Sequence, residues 1–249
     1  MNETPNTLTA EFFDLMVDTY ETWAEPLSAR LAQVALERTS VRAGDSVLDI
    51  GAGTGALTLQ AAALGARVTA IDLAPNMVDR LRQRLAPYPE CKALVMDGQA
   101  LTFGDSTFDA AFSVLAITHF PNWNAGLDEA VRVVRPDGLL GIVHWATPHG
   151  ADPFTILSRA WRRLPLPTGS PDGPELTSVL SAHELRAALQ VRGCEVKELV
   201  RLMRRAHCTG EIHGDAVSHL QQLPAIPFAR RGDAWRIASP ARAGSPPVG

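Results

Sequence analysis

The segment Val47–Gly55, VLDIGAGTG, constrains this chain more than any other. It reads as a short buried strand, a glycine-rich turn and the start of a helix. Gly51 allows a tight turn at positive φ. Gly53 and Gly55 remove side chains from the path of a ligand, and a following helix would offer free N–H groups to an anion. The surrounding pattern repeats the unit. Strands are expected at Val47–Ile50, Arg67–Ile71, Ala93–Met96, Phe108–Val114 and Leu139–Trp145, with helices at Gly55–Leu64, Pro75–Leu85 and Trp123–Val134. Alternating strands and helices predict an α/β fold, a Rossmann-like, doubly wound, mostly parallel sheet covered on both faces. Residues 9–40 carry apolar positions at helical spacing, with a second helix over about Leu27–Arg38 after Pro26.

The glycine turn has two functional readings. Gly51, Gly53 and Ala56 match the dinucleotide pattern G-x-G-x-x-A, and Asp72 lies 21 residues after Gly51, where a ribose-binding acid is expected. Asp49, inside the strand, favours the other reading. A carboxylate at the end of a buried strand is costly without partners. It would repel a pyrophosphate and favour a cofactor bearing an ammonium and a sulfonium.

Bulk properties narrow the rest. The 249 residues suit one large domain or one with a modest insertion, and 46% apolar content supports an ordinary core. A net charge of −4 argues against a dedicated nucleic-acid binder. Cys91, Cys194 and Cys208 have no CxxC spacing, which suggests a reducing compartment. The polar N-terminus shows no secretory pattern, and no apolar run is long enough for a membrane span. A cytoplasmic chain is expected; its oligomeric state is open.

VLDIGAGTG resembles the first motif of class I S-adenosylmethionine-dependent methyltransferases, above all those similar to the ubiquinone/menaquinone-biosynthesis enzymes. The resemblance runs from about Tyr20 to Trp145. AIDLAPNMVDRLRQRL is its second piece, MDGQALTFGDSTFD its third, and FDAAFSVLAITHF with EAVRVVRPDGLLGIV its fourth. The resemblance implies a seven-stranded sheet and S-adenosyl-L-methionine as cofactor. It implies that Asp49, Gly51, Ala52, Gly53 and Gly55 border the cofactor. Asp72 would bind both ribose hydroxyls, Leu73 and Met77 would flank the adenine, and Asp97 would accept from its amino group with Gly98 and Gln99 beside the ring. Ser113 would lie beside the methionyl part, and Tyr20 with Trp23 would close over the cofactor. Thr102 stands where the family usually has proline. RPDG (135–138) resembles the turn before the fifth strand, with Gly138 supplying backbone freedom. The alternatives are a turn or cap role for Asp72 and Asp97 and plain core packing for the aromatics.

Methyl transfer is an in-line displacement, so the protein mainly aligns the reactants. If the acceptor must lose a proton, His119 is the candidate base; a helix-start histidine bonded to backbone is the competing reading. His144 is weaker, and His207, Cys208, His213 and His219 lack zinc spacing. SVLAITH, after the fourth strand, carries no acid, so no catalytic metal is expected. The chain divides into an N-terminal helical cap (1–40), a cofactor-binding core (41–146), a proline-rich insertion forming an acceptor-site cap (147–180), the rest of the core (181–238) and a tail (239–249). Ser181 and Glu184 have capping-box spacing, and strands are expected at Glu195–Leu202 and Arg204–Cys208. The acceptor is expected to be a small molecule. The alternatives are an NAD(P)-dependent oxidoreductase, or the same fold put to binding or another reaction.

Overall fold

The computed structural model describes residues 5–144 and 181–197 and the strand residues 228–231 and 234–237. The chain divides into two units, Met1–Arg205 and Ala206–Gly249. In the first unit the elements run α1 (Pro5–Asp14), α2 (Val17–Trp23), α3 (Glu25–Glu37), β1 (Ser46–Ile50), α4 (Thr58–Ala63), β2 (Arg67–Asp72) and α5 (Pro75–Arg84). They continue with β3 (Lys92–Val95), β4 (Phe108–Val114), a 3-10 turn (Ile117–His119), α6 (Trp123–Val133), β5 (Val134–Val143) and α7 (Ala182–Val191). The described part of the second unit is an antiparallel pair, β6 (Phe228–Arg231) with β7 (Ala234–Ile237).

The sheet of the first unit has five strands in the order β3-β2-β1-β4-β5, and every pair is parallel. The chain builds outward from β1 to β3, then returns to lay β4 on the other side of β1. That reversal opens a crevice at the carboxyl ends of β1 and β4, where ligands bind in open α/β sheets. The expected doubly wound α/β core is therefore present. Of the expected seven strands, five form this sheet among the described residues.

Helices cover both faces, so the buried part of the central strand, Val47–Ile50, is apolar except at Asp49. Val47 packs with Ala32, Leu57, Ala61 and Phe112 on one face. Leu48 and Ile50 pack with Ile71, Phe108, Ala111 and Val133 on the other. The two-residue period of the strand puts Asp49 on the face of Val47, under α4.

Two boundaries differ from expectation for a backbone reason. α4 begins at Thr58 rather than Gly55, because Gly51, Gly53 and Gly55 all have positive φ (71°, 54° and 110°), which no right-handed helix accommodates. β5 begins at Val134 rather than Leu139: Val134 pairs with Phe108, and the register then shifts before Ala110 pairs with Leu139. RPDG is thus an irregularity within the strand. Asp137, not Gly138, takes the left-handed conformation (φ 59°). Gly138 is needed for close approach, since a Cβ there would lie 2.7 Å from the Arg135 carbonyl oxygen and 2.8 Å from that of Asp109.

The capping box of α7 forms as expected, with the Ser181 hydroxyl accepting from the Glu184 N–H at 3.1 Å and the Glu184 carboxylate accepting from the Ser181 N–H at 2.8 Å. Residues 195–197 are not in a strand. The remainder of that expected strand, the one at Arg204–Cys208, the 147–180 insertion and the 239–249 tail lie outside the described residues. No helix among those described is long and apolar enough to cross a membrane.

Leu48 is fully buried in the central strand, whereas Val95 on edge strand β3 is 46% exposed. Leu48→Ala should lower unfolding free energy by about 2–5 kcal/mol, and Val95→Ala by about 0.5 kcal/mol or less. Urea denaturation of the two variants checks the strand order.

Candidate functional site

Three carboxylates stand at three neighbouring strand ends: Asp49 in β1, Asp72 closing β2, and Asp97 two residues after β3. The parallel register brings these ends to one edge of the sheet, with Asp49 opposite Ala70 and Asp72 opposite Val95.

Asp49 is buried, and its Oδ2 accepts from the Thr58 hydroxyl at 2.6 Å. Burial pushes its carboxyl up to about 7, against the hydrogen bonds from Thr58 and with help from the nearby Asp72 charge. Asp72 is half-buried and accepts from two backbone groups, Gly53 N–H at 2.8 Å and Ala74 N–H at 3.0 Å. Burial raises its pKa too, opposed by the N–H groups of Ala74, Gly53 and Leu73. Asp72 thus makes the expected turn bond before Pro75 and is tied to the glycine turn as well.

The N–H groups of that turn are largely committed. Gly51 and Ala52 both donate to the Ile71 carbonyl at 2.9 Å, Gly53 donates to Asp72, and Gly55 donates to the Ala52 carbonyl at 2.9 Å. A pyrophosphate site needs such donors turned toward the ligand. Here they sew β1 to β2, and a carboxylate already occupies the Gly53 donor. The edge offers acceptors and negative charge, which suit a cationic cofactor with hydroxyl and amino donors.

The glycines also serve packing within the protein. Their Cβ directions are filled by protein: a Cβ on Gly51 would lie 2.2 Å from the Ala116 Cβ, and one on Gly55 2.5 Å from Leu81 Cδ1. On Gly53 it would lie 3.2 Å from the hydroxyl and 3.3–3.4 Å from the ring of Tyr20. Close packing and positive φ both favour glycine at these positions. Ala52 is buried beside them.

Tyr20 is half-buried, and burial first, then Asp72, Glu25 and Asp49, push its hydroxyl up to about 12 despite a hydrogen bond with Ser28. Trp23 is 60% exposed. An ionic seam fastens these helices to α5: Asp18 and Glu21 meet Arg80, and Glu25 meets Arg84. Asp14 accepts from the Asn76 N–H at 2.7 Å.

Of the other expected residues, Leu73 is half-buried and Met77 fully buried. Asp97 accepts from the backbone and side-chain amides of Gln99, at 2.9 and 3.1 Å, and Gln99 in turn accepts from the Asn122 N–H at 2.7 Å. Gly98 lies under Phe120, whose ring would meet an added Cβ at 2.6 Å. Ser113 sits inside β4, fully buried, and its hydroxyl accepts from the Ile117 N–H at 2.9 Å. His119 is half-buried in the turn after β4, and its backbone N–H donates to the Ala116 carbonyl at 2.8 Å. His144 follows β5 and is half-buried. Among the described residues, no three His, Cys, Asp or Glu side chains converge as a metal site would require.

Sequence reasoning assigned no role to Thr54, Arg84, Ala116 and Phe120, which lie within its motifs, or to Glu25, which lies outside them; all five shape this edge. It also missed Leu115, a bulky residue at φ 58° where β4 turns toward Ala116, a conformation that needs support from its surroundings.

Comparison with known proteins gives this geometry a context. Residues 48–142 match a family described as a methyltransferase domain. A demethylmenaquinone methyltransferase of Tropheryma whipplei is 36% identical over 120 residues, 48% of this chain and 50% of that protein. An uncharacterised protein of Mycobacterium tuberculosis is 36% identical over 132 residues, 51% of this chain and 46% of that one. The chain therefore spans about half the length of the curated relatives it matches. The solved structure of the cyclase SpnF superposes with a TM-score of 0.52 at 24% identity, covering 66% of this chain and 56% of that one, and so shares the fold.

Asp49 holds its proton longer in the folded chain than in the unfolded one, where its pKa is about 4. Its ionisation therefore removes stability as pH rises from about 4 to about 7, with no further loss above that. In ligand-free protein, the stability of Asp49→Asn relative to wild type should climb across that window and then level. Denaturation measured at several pH values checks this; a difference independent of pH would contradict it.

Proposed function

We propose that residues 48–142, which match a methyltransferase domain, form the core of a class I S-adenosylmethionine-dependent methyltransferase, and that the chain transfers a methyl group to a small-molecule acceptor by in-line displacement. The observation that carries this reading is the set of three acids at successive strand ends, joined to a glycine turn in which the N–H groups of Gly51, Ala52, Gly53 and Gly55 already donate within the protein. Such an edge disfavours the pyrophosphate of a nicotinamide cofactor and favours a cofactor without phosphate.

The residues divide the binding among them. Asp72 would accept from the ribose hydroxyls through the lone pairs left beside its two backbone bonds. Asp49, buried with Thr58, would supply negative charge toward the cationic part. Asp97, held by Gln99, would accept from the adenine amino group, with Leu73 and Met77 flanking the base. The ring of Tyr20 would close the site from the N-terminal side. S-adenosylmethionine, when bound, supplies an electrophilic methyl on a sulfonium, so alignment and exclusion of water are what the protein must add. The acceptor site would be built from residues 1–25 and 147–180, and no divalent metal is required. Where the acceptor must lose a proton, His119 would take it.

The test is release of S-adenosylhomocysteine, followed by mass spectrometry over pooled metabolites. Asp72→Ala should weaken cofactor binding by about 1.5–3 kcal/mol, the scale of a hydrogen bond to a charged group; unchanged affinity would remove Asp72 from the ribose role. Once an acceptor that loses a proton is found, His119→Ala should slow single-turnover transfer by about 10²-fold with cofactor affinity unchanged. A wild-type pH–rate profile in that variant would remove His119 from the reaction.

A further inference from the structure

We propose that Glu25, acting through Thr54 and Arg84, is a positioning residue for cofactor binding; the inference rests on reading the glycine turn as part of the cofactor site. Glu25 opens α3 and lies outside the region that matches the methyltransferase domain. Its carboxylate reaches into the turn. Oε2 accepts from the Thr54 hydroxyl at 2.8 Å, and Arg84 Nη1 donates to Oε1 and Oε2 at 2.7 and 2.9 Å. The same nitrogen donates to the Thr54 carbonyl at 3.0 Å. Thr54 is completely buried, so one ion pair holds both its side chain and its backbone.

The turn needs such an external hold. Thr54 stands between Gly53 and Gly55, both at positive φ, and glycine backbones have little conformational preference of their own. Gly53 in turn donates to Asp72. Rotating the peptide that joins Thr54 to Gly55 would break the bond from the Gly55 N–H to the Ala52 carbonyl, and that carbonyl belongs to the same peptide unit as the Gly53 N–H that holds Asp72. A chain of contacts therefore runs from Glu25 and Arg84 through Thr54, the Gly55 N–H and the Ala52–Gly53 peptide to Asp72. The neighbouring helix α2 lays Tyr20 against Gly53. Stability alone does not call for this arrangement, because the pair is only partly buried, with the Arg84 side chain 33% exposed, and such pairs add little net stability. Its distinctive effect is to fix one geometry of the turn.

The experiment is calorimetric titration of the full chain with S-adenosylhomocysteine. Affinity refers to folded protein, so a loss of stability alone leaves it unchanged. Thr54→Val keeps the shape and removes the hydroxyl, and Glu25→Gln removes the charge. Each should weaken binding about tenfold, the scale of one hydrogen bond to a charged group. The double variant should be no weaker than either single one by more than about twofold, because both break one linkage. Thr54→Ser should restore wild-type affinity. Should Glu25→Gln fail to fold, the Thr54→Val and Thr54→Ser pair decides. Wild-type affinity in Thr54→Val, or equal loss in Thr54→Ser and Thr54→Val, would overturn the positioning role while leaving the cofactor reading intact. No binding by wild type would overturn both.

Discussion

The hydrogen bond from the Gly53 N–H to Asp72 joins the first turn of the fold to the end of the second strand, and the candidate site is organised around it. Together with the two bonds from Gly51 and Ala52 to the Ile71 carbonyl, it closes the seam between β1 and β2 where the strands end. A consequence follows for recognition. In dinucleotide-binding folds the same turn points its N–H groups at a pyrophosphate; here those donors face protein acceptors. What remains at the edge is carboxylate, with Asp49 buried beneath it at a pKa of about 7. An edge of this kind rewards a ligand that brings positive charge and hydrogen-bond donors.

The helices before β1 extend the same logic. They are fastened to α5 through Arg80 and Arg84, and they place the Tyr20 ring and the Glu25 carboxylate against the turn. Removing an exposed partner from that seam would cost little, since exposed ion pairs contribute weakly. Glu25 differs because its partner Thr54 is fully buried. The matched domain begins at residue 48, yet the turn is completed by a residue from before it.

Much of this was legible in the sequence where the information is local. The apolar runs of β1, β2 and β4, the glycine spacing and the capping box of α7 are read within a few residues, and each is present. The positions of Asp49, Asp72 and Asp97 at strand ends followed from the same runs. What was illegible depends on distant partners. Glu25 meets Thr54 across 29 residues and Arg84 across 59, and no periodicity couples such positions. The start of α4 was misplaced because three successive left-handed glycines delay a helix that the side-chain pattern alone would begin earlier. Asp137 took the conformation expected of Gly138 because the fifth strand starts before the RPDG segment and must bend within it.

A fold of this kind hosts several chemistries, as the likeness to a cyclase illustrates, so function has to be argued from the donor set and not from the architecture. The central claim is that this edge selects a cationic adenosyl cofactor over a phosphate-bearing one. Calorimetric titration of the full chain with S-adenosylmethionine and, separately, with NADH tests it most directly. The account predicts saturable one-to-one binding of S-adenosylmethionine and no binding heat with NADH; saturable binding of NADH with none of S-adenosylmethionine would contradict it.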